Sequence, residues 1–177
     1  MKRLLVIVTL ILAFPSAAHP QPRGVVFVWG STISSESLGP SGSHMLIGPF
    51  HSFNACIAFL ALMQREGAGL GFVGPSKAIL DVIGAGELYC VQVDSRGNIV
   101  MHGQASGDSA PLPDHGWMAG GFNSKGYFFG IGPVRARESC STILGTMYRE
   151  GAGFAYVNPG QTITQVVLPT ALSCLYV

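Results

Sequence analysis

The chain has 177 residues, of which 48% are apolar and 11% are charged, with 10 Lys and Arg against 9 Asp and Glu. A disordered chain would combine low hydrophobicity with high net charge, and a nucleic-acid binder would carry a basic surplus. This composition therefore excludes disorder and a nucleic-acid partner.

The N-terminal segment, residues 1–18, has the pattern of a secretory signal peptide. Lys2 and Arg3 precede an apolar run over residues 4–14, and small residues lead to an expected cut after Ala18. A membrane-spanning helix needs about 20 apolar residues, so this run is too short to serve as one. Cleavage leaves 8 basic and 9 acidic residues. We expect an exported protein, periplasmic or extracellular, with no membrane span after cleavage.

An internal repeat is the most informative feature of the sequence. At an offset of 84, residues 44–93 and 128–177 share 18 identities in 50 positions without a gap, which indicates a tandem duplication. We expect a first unit over 19–93 and a second over 94–177, whose residues 94–127 form a hairpin-rich connection. Each unit is near the lower size limit for a core of its own, so the two are expected to pack as one domain.

The four cysteines have a regular spacing and include no CxxC pair. Export places them in an oxidising compartment, where an even number of cysteines favours disulfides. Cys90 follows Cys56 at the same spacing at which Cys174 follows Cys140. Four cysteines allow three pairings. We predict Cys56–Cys90 and Cys140–Cys174, because a unit that existed before duplication could then close its own bridge.

The two copies predict the same order of elements. A helix is indicated by apolar positions at helical spacing, namely Cys140, Ile143, Leu144 and Met147. Gly67 and Gly151 stand where these helices should end. The expected unit is strand, strand, helix, strand, strand, which gives an α+β fold with an antiparallel or mixed sheet, stapled by disulfides. One segment stays open, since residues 76–83 favour a helix and the matching 162–167 favours a strand.

The region between the helices contains turn signals and long loops. Asp94-Ser-Arg-Gly97 and Asn123-Ser-Lys-Gly126 each predict a hairpin, because both begin with an Asx residue and have Gly at the fourth position. Long loops are expected over residues 30–44 and 103–116. Loops of this length are often functional or mobile.

The first helix contains nine apolar residues in succession, Ala55–Met63. A helix that is apolar on all sides must be covered on all sides. The sheet would cover one side, and burial between the two halves is the favoured cover for the other. The alternative is self-association or a partner groove formed by Ile57, Phe59 and Leu62.

No motif assigns a chemistry to this chain. Its histidines lack zinc-site spacing, and the sequence has no Gly-x-Ser-x-Gly elbow, phosphate loop or dinucleotide fingerprint, so we expect no metal and no cofactor. Asp114 and His115 could form an acid–base pair, although a turn before the Trp117 strand is the simpler interpretation. The expected function is exported, non-catalytic binding or structure; a small secreted hydrolase using Asp114 and His115 is the alternative.

A short segment of each copy resembles a known family. Ile47-Gly-Pro-Phe50, the following helix and Gly71-Phe-Val73 resemble the strand–helix–strand of the sporulation-related repeat, which binds peptidoglycan. The resemblance covers residues 47–73 and the matching 131–157, and the second copy departs from it at Val134. It implies a cell-wall binding module, with the wall as partner, as a further alternative.

Overall fold

The computed structural model describes residues 25–32, 44–74, 76, 78–94, 98–157 and 164–177, which form eleven strands and two helices. The first six strands are β1 (Val25–Thr32), β2 (His44–Phe50), β3 (Gly69–Val73), β4 (Ile79–Gly84), β5 (Tyr89–Val93) and β6 (Ile99–Gly103). The remaining strands are β7 (Trp117–Phe122), β8 (Phe128–Val134), β9 (Gly153–Val157), β10 (Thr164–Val167) and β11 (Ser173–Tyr176). The helices are α1 (Phe53–Glu66) and α2 (Arg137–Glu150). The expected signal peptide and residues 33–43 of the first long loop lie outside the described residues.

The strands form two antiparallel sheets. Sheet A has six strands in the order β10-β9-β2-β1-β5-β6, and sheet B has five in the order β11-β7-β8-β3-β4. Both expected hairpins are present as the antiparallel pairs β5–β6 and β7–β8. With its two helices the protein has the expected α+β class.

The helix ends follow the local sequence. The Ser52 hydroxyl accepts a hydrogen bond from the backbone N–H of Ala55 at 3.1 Å and so caps the start of α1. Gly67 and Gly151 end the two helices in the left-handed conformation, with φ of 65° and 68°. At the start of α2 the N-cap position is occupied by Ala136, which has no side-chain acceptor.

The elements of the two halves recur at the offset seen in the sequence. Strand β8, helix α2 and strand β9 begin and end at positions offset by 84 from β2, α1 and β3 respectively. The segment that the sequence left open is extended in both halves, as β4 and β10. The helix that the first copy favoured does not form over Ile79–Gly84, because the backbone of β4 pairs with β3 instead.

A hairpin of each half pairs with a strand of the other half. Strand β3, followed by β4, pairs with β8 of the second half, and β9, followed by β10, pairs with β2 of the first half. The registers match at the offset of 84: Gly69 lies opposite Gly132 in sheet B, as Gly153 lies opposite Gly48 in sheet A. Each sheet therefore contains strands from both halves.

The main core lies between the sheets and the helices. Its largest fully buried side chains include Phe59, Phe72, Phe129, Phe154, Met63 and Leu70. The disulfides are Cys56–Cys90 and Cys140–Cys174, with Cα–Cα distances of 6.0 and 6.1 Å, the same pairs that the sequence predicts. Each disulfide fastens a helix to a strand of the same half.

The large side chains of the apolar run in α1 are mostly buried. Phe59 is 1% exposed and Leu62 is 9% exposed, and Ile57 is half-buried and packs against the core. Burial is the favoured cover in the sequence analysis, and Phe59 and Leu62 are not exposed in the way that the alternative partner surface would require. The outward positions carry alanine instead, since Ala58 is exposed. The run Ala55–Met63 can be apolar at every position and still leave Ala58 exposed, because exposure of a methyl group costs little.

Candidate functional site

The Asp114–His115 segment does not assemble an acid–base pair. Both side chains are exposed, and among the described residues neither makes a hydrogen bond to the other or to a hydroxyl group. The His115 ring centroid lies 6.5 Å from that of Tyr176, in an edge-on arrangement. A general base must reach the proton it abstracts, and the described part of the chain brings no nucleophile to these residues.

The described histidines are dispersed over the molecule. His44 packs beside Trp29, His51 contacts Glu150, and His102 is exposed on β6. No group of three or more His, Cys, Asp or Glu side chains in the described ranges is close enough to hold a metal ion.

A cavity of about 230 Å³ lies where the end of α1, the start of α2 and the loop between β6 and β7 meet. We call it the helix-end cavity. Its polar lining is Arg65, Glu66, Arg135 and Ser139, and its apolar lining is Ala110, Pro111, Pro113 and Ala136. The sequence places these residues far apart, and the fold brings them together.

The long loop reaches the cavity because it is fixed to the end of α1. The Ala110 N–H donates a hydrogen bond at 3.0 Å to the Gln64 carbonyl, which also accepts from the Gly67 N–H at 3.1 Å at the end of the helix. Gly67 allows the loop to approach, since a Cβ at this position would meet the Pro111 carbonyl oxygen at 2.8 Å. The two prolines then form an apolar wall beside the charged side chains.

The charges around the helix-end cavity are unequal. Glu66 is occupied on both oxygens: the Ser139 hydroxyl donates to Oε2 at 2.6 Å, and Arg65 Nε and Nη2 both lie 3.2 Å from Oε1. Arg135 is exposed and makes no hydrogen bond or ion pair with any described residue. The described lining therefore carries two guanidinium groups and one carboxylate, so one positive charge has no counterpart there.

An aromatic cluster lies near this end of α2. The Arg137 guanidinium carbon is 5.3 Å from the Trp117 ring centroid, and Tyr176 meets Trp117 edge to face at 5.4 Å. Arg137 is thus turned toward Trp117 rather than toward the cavity lining. Arg135 remains as the cation of the cavity that has no partner among the described residues.

The sequence did not single out the residues of the cavity. The run Arg65-Glu66-Gly67 predicted a helix end, and the structure confirms it. No sequence pattern indicated that Arg135 and Ser139 would lie near this helix end. Within the long loop, the sequence indicated Asp114 and His115 as candidate site residues. The part of the loop that meets the helices is instead residues 110–113.

Comparison with protein-family models, curated proteins and solved structures found no match for this chain. Neither helix of the described part of the chain is long and apolar enough to cross a membrane.

Proposed function

We propose that this chain is an exported, non-catalytic binding protein that holds a small carboxylate ligand in the helix-end cavity. The observation that carries the proposal is the unpaired Arg135 guanidinium at a cavity whose lining carboxylate, Glu66, is already occupied. An arginine guanidinium is always charged and matches a carboxylate with two parallel N–H donors.

The lining also supports a particular kind of carboxylate. Arg65 is bonded only to its neighbour Glu66, and its side chain is 70% exposed, so it can turn toward a ligand at little cost. Pro111 and Pro113 add apolar surface to the same lining. A small monocarboxylic acid with an aliphatic or aromatic part matches both the charged and the apolar lining of a cavity of about 230 Å³.

Export and duplication are parts of the same proposal. Two disulfides are typical of an oxidising compartment, and the N-terminal pattern supports cleavage after Ala18. The matching bounds of α1 and α2 support an origin by tandem duplication. Mass spectrometry of the secreted or periplasmic protein should find His19 at its N terminus; an intact Met1 there would contradict export by cleavage.

The binding test is an NMR titration of the disulfide-bonded protein with acetate, butyrate and benzoate. Shifts should appear at residues of the helix-end cavity, with stronger binding of the acids that carry an apolar part. The Arg135→Gln substitution should weaken binding roughly 10- to 150-fold, since one charge-assisted hydrogen bond contributes roughly 1.5–3 kcal/mol. The proposal fails if none of the acids shifts these residues.

Arg149→Gln is the matched control for this titration. Arg149 is the counterpart of Arg65 at the end of the other helix, and its Nη2 donates to the Thr146 hydroxyl at 3.0 Å. It lies outside the cavity lining, so its loss should leave acid binding unchanged. Equal weakening by both substitutions would indicate a general effect of charge.

Capture on insoluble peptidoglycan tests the cell-wall alternative separately. Wall peptides also carry carboxylates, so capture that is abolished by Arg135→Gln would identify the wall as the source of the ligand. Capture that persists in this variant would place wall binding at another surface.

A further inference from the structure

Strand β6 is apolar although it contributes nothing to the core. Ile99, Val100 and Met101 are 50%, 46% and 42% exposed, and none of them belongs to a buried cluster. Exposed strand positions on a solvated edge normally carry polar or charged residues. The packing of the described residues therefore does not account for these residue types.

The outer edge of β6 is open. The strand is the last in sheet A and bonds to β5 on one side, so alternate backbone N–H and C=O groups on its other side have no strand partner within the described ranges. It has no Lys, Pro or acidic residue that would discourage a further strand. A register irregularity opposite Val93 affects the start of the strand, and pairing is regular from Met101 to Gly103.

A further exposed apolar residue lies on β1, two strands in from the edge. Val25 lies opposite Val93, and Val93 lies opposite Ile99, so these three residues form one row across the sheet. Val25 is 46% exposed, whereas Val93 between it and Ile99 is 5% exposed. An edge that offers backbone hydrogen bonds beside apolar side chains is suited to an extended strand with the same character.

We propose that β6 pairs with β6 of a second copy of this chain, antiparallel about a two-fold axis, which would join two copies of sheet A. The strand is compatible with itself, because residues 99–103 carry no acidic, Lys or Arg side chain and place no like charges opposite each other. Sheet B ends at β11 and, among the described strands, has no equivalent of β6. Because the pairing uses the same edge of both chains, it closes as a dimer.

The size of the contact sets its expected strength. Five residues of strand extend about 17 Å at roughly 3.3 Å per residue. An interface of this length is at the small end of specific protein contacts, so we expect weak association, with a dissociation constant of about 1 µM to 1 mM. The dimer is therefore expected to depend strongly on protein concentration. It does not involve the helix-end cavity.

Sedimentation of the disulfide-bonded chain across this concentration range tests the proposal. The wild-type protein should shift from monomer to dimer, and Met101→Lys should weaken the dimer at least 10-fold by placing two charges at the joined edge. The control is Leu168→Lys, which adds the same charge at a side chain that is 57% exposed and outside β6. It should dimerise like the wild type.

Hydrogen exchange locates the contact on the same samples. The backbone amides of β6 should become protected as the concentration rises, and circular dichroism should show that both lysine variants keep the fold. A protein that remains monomeric at about 1 mM overturns the proposal. So does a dimer that forms equally well in Met101→Lys or leaves the β6 amides unprotected.

Discussion

Glu150, the last residue of α2, accepts a hydrogen bond from the backbone N–H of His51 at 3.2 Å, and its Oε2 lies 3.0 Å from the His51 ring Nδ1. His51 stands just before α1. Glu66, the last residue of α1, in turn accepts from the Ser139 hydroxyl in the first turn of α2. Each helix thus places its terminal carboxylate at the start of the other, where a negative charge is favourable.

Removal of the Ser139 hydroxyl tests this reciprocal contact. Ser139→Ala should lower the free energy of unfolding by about 1–2 kcal/mol, because the hydrogen bond to a partly buried carboxylate is lost. Urea denaturation measures the change. Ser141→Ala is the control, since Ser141 is exposed on the same helix and has no hydrogen bond to a described residue. Equal effects of the two substitutions would contradict the contact.

Removal of either disulfide should destabilise the protein by a similar amount. Both bridges close a loop with a sequence separation of 34, for which chain entropy gives roughly 3–4 kcal/mol. The paired Cys→Ala variants should be compared by urea denaturation without reductant. Peptide mapping under non-reducing conditions checks the connectivity, and a peptide that links Cys56 to Cys174 would contradict it.

The local elements could be predicted from the sequence, but the strand partners could not. Two copies of one pattern located both helices, their glycine ends and the two hairpins. The pairing of β3 with β8 and of β9 with β2 could not be predicted for a physical reason. Strands β2 and β8 share the Ile-Gly-Pro sequence, so each offers nearly the same edge to either β3 or β9. Local sequence cannot choose between them, because the choice depends on how the chain connects the strands in space.

The expectation that α1 needs cover on every side came from counting all apolar residues alike, whatever their size. Alanine and phenylalanine both count as apolar, so Ala55–Met63 suggested a helix that needs cover on every side. The structure instead buries Phe59 and exposes Ala58. The helix-end cavity was missed for another reason, since the loop hydrogen bond from Ala110 to Gln64 that forms it leaves no sequence pattern.

Substitution of Phe59 should show that this face of α1 is interior. Phe59→Ala should lower the free energy of unfolding by about 3–5 kcal/mol, the usual cost of removing a buried phenyl ring. Ala58→Glu, the neighbouring exposed position, should change it by less than about 0.5 kcal/mol. Chemical denaturation of both variants makes the comparison. A Phe59→Glu protein that stays soluble and unfolds cooperatively would contradict burial of this ring.

Substitution by alanine should raise the free energy of unfolding at one glycine and lower it at another. Gly145 lies inside α2, and a Cβ added there would meet no atom within 4 Å, so Gly145→Ala should stabilise the protein by about 0.5–1 kcal/mol. Gly120 lies in β7, where a Cβ would overlap the Phe129 carbonyl oxygen of β8. Gly120→Ala should therefore destabilise by about 1–3 kcal/mol. Thermal and urea unfolding measure both; a destabilised Gly145→Ala would contradict the open space.

The hairpin exchange predicts that the halves depend on each other. A fragment of residues 19–93 contains β3 without β8, and a fragment of residues 94–177 contains β9 without β2, so each loses the strand that its own hairpin pairs with. Each fragment alone should lack a cooperative urea transition, because its sheet is incomplete and its core faces are uncovered.

Equimolar refolding of the two fragments should restore the transition, since the mixture supplies both missing partners. Far-ultraviolet circular dichroism during urea titration compares the mixture with each fragment and with residues 19–177. If the fragment 19–93 alone unfolds cooperatively with its Cys56–Cys90 bridge formed, β3 must be able to pair with β2 of the same half. The exchange would then be one of two accessible arrangements rather than a requirement of the fold.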